Sequence, residues 1–105
     1  MKVLLDACVP RSLRTFLTNH LVRTAQEMEW GKLRNGALLT EAETRFDALI
    51  TSGKNLRYQQ TLSGRKLAIL ILPTNDWPAI RHKGDVIAAT VDALKPGDFE
   101  ERNWS

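Results

Sequence analysis

Cysteine and aromatic residues are scarce in this chain, and long apolar runs are missing. Cys8 is the only cysteine among 105 residues, which excludes an internal disulfide and a metal cluster made of thiolates. No stretch approaches the ~18 consecutive apolar residues that a membrane-spanning helix needs. The hydrophobic share of 43% and the charged share of 26% are those of an ordinary globular protein, so disordered and fibrous classes are also excluded.

Positive charge exceeds negative charge only slightly, with 15 Lys and Arg against 12 Asp and Glu and a net charge of +3. This bias is compatible with a polyanionic partner such as a nucleic acid if the basic residues cluster on one face, whereas a solvated basic surface is the competing interpretation. The apolar run at the N-terminus is short and is interrupted by Asp6, which is not the pattern of a signal peptide. A cytoplasmic location and no membrane association are therefore the expectations.

Short apolar runs rich in β-forming residues alternate with segments whose apolar residues recur at helical spacing. The run Lys66–Leu72 (KLAILIL) is apolar on both faces, as in a fully buried strand. This alternation predicts an α/β fold with a doubly wound, mainly parallel sheet of four to five strands flanked by helices. We expect one domain over residues 1–105, in which residues 96–105 form a loose polar tail. Strands are predicted at Lys2–Leu5, Leu21–Thr24, Asp47–Thr51 and Lys66–Leu72, and helices after Pro10, over Ala37–Phe46 behind an Asn35 cap, over Asn55–Thr61 and from Ile80 to Leu94.

Acidic residues follow several of the predicted strands. The carboxyl ends of parallel strands meet at one edge of a sheet, and ligands bind there. Asp6 follows the first strand, where a hard cation such as Mg²⁺ would compensate a desolvated carboxylate. The competing interpretation is that Asp6 is a helix N-cap or a turn residue that accepts N–H bonds from the helix beginning at Pro10. Asp76 follows the fourth strand and is a second candidate metal ligand, and Glu27 follows the second strand.

The third predicted strand ends in the sequence SGKN. A phosphate-binding loop requires a glycine five residues before the Gly-Lys pair and a Ser or Thr after it, and Ala48 and Asn55 stand at these positions. The match therefore fails, although Gly53 and the N–H groups of a following helix can still hold a phosphate. A plain strand-to-helix turn is the competing interpretation. The predicted substrate-binding residues at this edge of the sheet are Arg11, Ser52, Lys54, Asn55 and Arg57.

The two histidines show no pattern typical of catalysis. Neither His20 nor His82 has a carboxylate, serine or cysteine at a spacing that indicates a triad. We therefore predict that both face solvent.

Several stretches carry a resemblance to a known family. LLDACVPRSLRTFL, VRTAQEMEW, NGALL and NLRYQQTLSGRK are similar to segments of small bacterial PIN-like proteins, which are relatives of toxin-type ribonucleases. The resemblance extends to about Leu72. It implies a doubly wound α/β sheet and a cluster of acids that binds Mg²⁺ or Mn²⁺, with the metal activating water for cleavage of RNA. It also implies an antitoxin-like protein partner, and a homodimer is a further expectation.

The site implied by the resemblance is incomplete in this sequence. Asp6 matches the acid that follows the first strand, and it is the implied catalytic residue and metal ligand. Gly53 stands where relatives usually have the aspartate of a Thr-x-Asp strand end. The sequence therefore predicts a PIN-like protein with weak or lost nuclease activity, or alternatively a non-catalytic module that binds RNA or an antitoxin-like protein. Other positions where relatives carry acids are occupied by Ala7, Ala37, Asn35 and Asn55.

Overall fold

Five parallel strands form one sheet in the computed structural model, which describes residues 1–33, 35–52 and 66–102. Every adjacent pair is parallel, and the strands lie in the order β2-β1-β3-β4-β5. The predicted α/β fold with a parallel sheet is confirmed. The strands are β1 (Lys2–Leu5), β2 (Leu21–Thr24), β3 (Ala48–Thr51), β4 (Ala68–Ile71) and β5 (Phe99–Glu101).

The described helices are a 3₁₀ helix (Arg11–Phe16), α1 (Asn35–Arg45), α2 (Trp77–His82) and α3 (Gly84–Ala93). None of the helices in the described part of the chain is long and apolar enough to span a membrane. The predicted Asn35 cap is wrong, because Asn35 is the first residue of α1 itself.

The single last helix predicted from Ile80 to Leu94 is instead two helices that meet at Lys83, whose φ of −106° and ψ of 15° interrupt the helical path. Gly84 begins the second of them and lies against the Phe16 ring. A Cβ atom at this position would stand 2.4 Å from that ring. The glycine therefore allows α3 to approach the 3₁₀ helix closely.

The sheet is covered on both faces. Alternating strand residues divide the apolar side chains between two separate cores, since successive residues of a strand point to opposite faces. One core joins the 3₁₀ helix, α2 and α3 to the sheet, and Leu13, Ile80 and Val91 are fully buried in it. The other packs α1 on the sheet through Leu39 and Ala42. The sheet is therefore the middle layer of an α/β/α sandwich.

The predicted loose tail is wrong for Phe99–Glu101, which form β5. Ile69 donates its N–H to the Asp98 carbonyl at 2.8 Å, and Arg102 donates to the Ile71 carbonyl at 2.9 Å. Three polar-rich residues are too short for a periodic signal, and the unpaired edge of β4 supplies the hydrogen-bonding partners. The fifth strand therefore depends on tertiary pairing.

The order of the strands creates a switch point between β1 and β3. From β1 the chain passes to one side to form β2, and then crosses to the other side to form β3. In open α/β sheets ligands bind beyond the carboxyl ends of the strands at such a point. Asp6 follows β1 and Thr51 ends β3, so the fold brings these two residues to the position where a site is expected.

Candidate functional site

The carboxylate of Asp6 is fixed between β1 and β3. The Asp6 N–H donates to the Ile50 carbonyl at 2.9 Å, which extends the strand pairing by one residue. The buried Thr51 hydroxyl donates to Oδ2 at 2.7 Å, and the Ala7 N–H donates to Oδ1 at 2.7 Å. Each carboxylate oxygen therefore already accepts a hydrogen bond from the protein.

Asp6 does not cap the following helix. The cap position of the 3₁₀ helix is Pro10, and no side chain bonds to the helix there. The Asp6 carbonyl instead accepts the Val9 N–H at 2.9 Å and closes a turn after β1. The structure therefore contradicts the helix-cap part of the competing interpretation, whereas its turn part agrees with these bonds.

Sequence reasoning did not identify Thr51 as part of this site. Its signal is a hydroxyl at the last position of an otherwise apolar strand, ALIT, because a buried hydroxyl requires a hydrogen-bond partner. Cys8 also belongs to this hydrogen-bonded group, because its Sγ lies 3.6 Å from Thr51 Oγ1. Since the single hydrogen of the Thr51 hydroxyl points to Asp6, the thiol is the donor. The bonds run from Cys8 through Thr51 to Asp6.

The acid that follows β2 has a structural role. Glu27 Oε1 accepts the Thr24 N–H at 2.9 Å, while Thr24 Oγ1 accepts the Glu27 N–H at 3.1 Å. These reciprocal bonds form a capping box. The single helical turn that follows closes at Glu29, whose φ is +62°, with Trp30 donating to the Ala25 carbonyl at 2.8 Å.

Arg14 occupies both oxygens of the Glu27 carboxylate. Its guanidinium donates to Oε1 at 3.0 Å and to Oε2 at 3.3 Å. The Thr24 N–H bond, followed by the Arg14 bonds, lowers the pKa of Glu27 below its usual value of 4.5. These existing partners argue against a role for Glu27 as a metal ligand.

Arg11 lines a cleft beside the candidate site. The cleft has a volume of about 380 Å³, and its other walls include Pro10, Arg14, Gln26 and Glu27. Arg14 is paired with Glu27, whereas Arg11 forms no ion pair with any described residue. Arg11 therefore has the free cationic charge expected of a predicted phosphate-binding residue.

The other predicted site residues are placed as follows. Ser52 directly follows β3 and is half-buried. Asp76 precedes α2 without a side-chain bond to the helix, and its N–H donates to Thr74 Oγ1 at 3.0 Å. The remaining three predicted substrate-binding residues lie outside the described residues: Lys54, Asn55 and Arg57.

Side chains that could bind a metal ion do not cluster in the described part of the chain. Residues 1–33, 35–52 and 66–102 contain no group of three or more His, Cys, Asp and Glu side chains placed to hold a metal ion. The rest of the chain has none of these four residue types in its sequence. Asp76 therefore does not join Asp6 in a group of that size.

His20 differs from its prediction. Its side chain is only 9% exposed, and Nε2 lies 2.6 Å from Asp92 Oδ1. Asp92 belongs to α3 and is 72 residues away in sequence, so no local spacing indicates the pair. His82 is exposed, as predicted.

Comparison with other proteins gives no relative for this chain: no protein-family model, no curated protein and no solved structure matches it.

Proposed function

We propose that this chain is a PIN-like protein of ribonuclease ancestry whose metal-dependent cleavage of RNA is weak or lost. The observation that carries the proposal is the state of the Asp6 carboxylate. It stands at the switch point between β1 and β3, and both of its oxygens accept hydrogen bonds, from Ala7 and Thr51.

A lone carboxylate is a weak anchor for a divalent cation. Mg²⁺ is usually bound through one or two carboxylates together with water and substrate phosphates. At this edge the sequence offers mainly neutral oxygen donors beside Asp6, since Gly53 replaces the second acid. The formal charge that attracts the ion is thus half of that in a paired site. We therefore infer weak binding of Mg²⁺ or Mn²⁺ at Asp6, with Asp76 as the remaining predicted acidic donor.

A non-catalytic RNA-binding role is the second candidate, and Arg11, which forms no ion pair with the described residues, favours it. A guanidinium in a cleft beside the strand ends can hold a phosphate of the RNA backbone without cleaving it. Ser52, Lys54 and Arg57 are the sequence-based candidates for neighbouring phosphates. An antitoxin-like protein that covers the same edge belongs to this second candidate.

Cleavage and binding of single-stranded RNA distinguish these possibilities. With Mn²⁺ or Mg²⁺, we expect the wild-type protein to cleave a labelled oligonucleotide at or near the background rate, with no further decrease in Asp6→Asn. Arg11→Gln should weaken RNA binding while Asp6→Asn leaves it unchanged. Robust Mn²⁺-dependent cleavage that disappears in Asp6→Asn would overturn the proposed loss of activity. RNA binding that is equal in the wild type and Arg11→Gln would argue against the second candidate.

A further inference from the structure

A second groove lies at the opposite end of β1 and β2 from Asp6, beside the end of α1. It has a volume of about 350 Å³ and is called here the basic groove. All the charged residues in its lining are cationic: Lys2, Arg23 and Arg45. Three cationic residues of the chain therefore share one concave surface.

The cations of the basic groove have no acidic partners. Within the described residues, none of the three forms an ion pair. Arg45 lies over the Trp30 ring at 5.8 Å, and Arg23 donates to the Val22 carbonyl at 3.3 Å. The carboxylate of Asp47 accepts the backbone N–H of Lys2 at 2.8 Å. Uncompensated charges in a concave surface attract an anion.

Apolar side chains share the lining with these cations. Leu21 is 50% exposed at the start of β2, and Met28 and Phe46 line the groove with it. An exposed leucine between cationic groups is poorly placed against water. It is well placed against a ligand that has an anionic end and an apolar body.

A peptide strand does not suit this edge of the sheet. The Arg23 guanidinium bonds the Val22 carbonyl, and the Glu27 carboxylate bonds the Thr24 N–H. The Thr24 carbonyl accepts the Met28 N–H at 3.2 Å. These groups of an edge strand would otherwise pair with an added strand, so side chains and the following turn protect the edge.

A nucleic-acid strand is also a poor match. Sequence-independent binding of single strands depends on aromatic faces on which successive bases stack. In this region Arg45 covers the Trp30 ring, and Phe46 lies against the same ring in an edge-on contact at 6.0 Å. The volume of the groove is that of a small-molecule site.

We propose that the basic groove binds a small organic diphosphate. Its phosphate groups bind among Lys2, Arg23 and Arg45, and its apolar body rests on Leu21 and Met28. A diphosphate matches the three positive charges, and bidentate contacts from arginine suit phosphate oxygens. The site is separate from Asp6 and does not depend on the function proposed for it.

Calorimetric titration with ADP at low ionic strength tests this proposal. We expect ADP to bind the wild type, and Arg45→Gln to weaken binding about tenfold, because a hydrogen-bonded charge is removed. Arg81→Gln is the matched control, since Arg81 is an exposed arginine of α2. It should bind ADP as the wild type does. Lys2→Gln is a second variant of the basic groove. Thermal unfolding checks that each variant is folded.

Other ligands and variants define the outcomes that overturn the proposal. Inorganic pyrophosphate should bind more weakly than ADP, because it lacks a body to contact Leu21; equal affinities would contradict the organic ligand. Failure of ADP to bind the wild type, or the same loss in Arg81→Gln as in Arg45→Gln, would overturn the site. Single-stranded RNA that binds through Arg45 and is not displaced by ADP would identify a different ligand. Asp6→Asn should leave ADP affinity unchanged, so this result is independent of the RNA experiments.

Discussion

The strands β1 and β2 are neighbours, and an acid follows each of them, yet the two acids have different surroundings. Glu27, after β2, forms a capping box with Thr24 and accepts two hydrogen bonds from the Arg14 guanidinium. Asp6, after β1, is bound by one buried hydroxyl and the N–H of the next residue. Glu27 thus stabilises its own turn, whereas Asp6 stands at the switch point of the sheet.

The difference shows why a carboxylate at the end of a strand does not by itself indicate a metal site. Glu27 finds its partners nearby in the sequence, because it bonds to Thr24 of the same turn and forms an ion pair with Arg14. An acid that reaches a neighbouring strand depends on what that strand supplies. Here β3 supplies the Thr51 hydroxyl to Asp6, and the sequence that directly follows β3 contains no acid.

Thr51→Val tests the dependence of Asp6 on β3 and has the largest expected effect on stability. Valine has nearly the same shape, so the change mainly removes the hydroxyl that donates to Oδ2 at 2.7 Å. A hydrogen bond to a charged group contributes about 1.5 kcal/mol or more to the free energy of unfolding. Urea unfolding should show this loss, while Thr18→Val, at an exposed threonine, should show almost none. Equal unfolding midpoints for the two variants would mean that Thr51 does not hold Asp6.

Gly53→Asp sharpens the comparison by introducing an acid after β3. We expect this second carboxylate to raise the affinity for Mn²⁺ about tenfold, since a further unit charge within a few ångströms of the ion contributes one to several kcal/mol. Calorimetry with Mn²⁺ measures the change. Gly53→Asn is the neutral control of the same shape and should bind Mn²⁺ as weakly as the wild type. An equal gain in both variants would show that charge is not the missing feature.

The fold was largely predictable because each of the first four strands is a short run rich in β-forming residues. Leu21–Thr24 was predicted with its observed bounds, and the ALIT strand differs from its prediction by one residue. The β5 strand was not predictable, because Phe99–Glu101 have no apolar pattern and pair only with β4. The break at Lys83 was also missed, since apolar spacing continues across it while the close packing of Gly84 on Phe16 does not appear in the sequence.

The sequence predicted which residues of the candidate site lie at the ends of strands, but not which side chains they bond to. Asp6 and Ser52 were placed at strand ends correctly, because parallel strands share one edge. Thr51, the partner of Asp6, is 45 residues away in sequence, and Asp92, the partner of His20, is 72 residues away. No local sequence pattern indicates pairs that are so far apart. The Thr24–Glu27 box is the exception. The motif Thr-x-x-Glu stands in the sequence and indicates a cap, so it could have excluded Glu27 as a metal ligand.

Glu27→Gln tests the other half of the comparison and has the smallest expected effect. Glutamine can still accept the Thr24 N–H through its amide oxygen, but its NH2 group cannot accept from Arg14, so the change removes the charge and one of the two Arg14 hydrogen bonds. The pKa of Glu27 is lower in the folded protein than its usual value of 4.5, so its charge stabilises the fold above that value, and the contribution is lost as pH falls through the lower folded pKa. The variant should therefore be slightly less stable than the wild type at neutral pH, and the two should converge under acidic conditions. Thermal unfolding from neutral to acidic pH measures the difference in stability between the variant and the wild type. Glu29→Gln, at an exposed glutamate, is the control. A deficit that persists unchanged in acid would mean that the amide disturbs the turn itself, and that the charge of Glu27 is not what distinguishes it from Asp6.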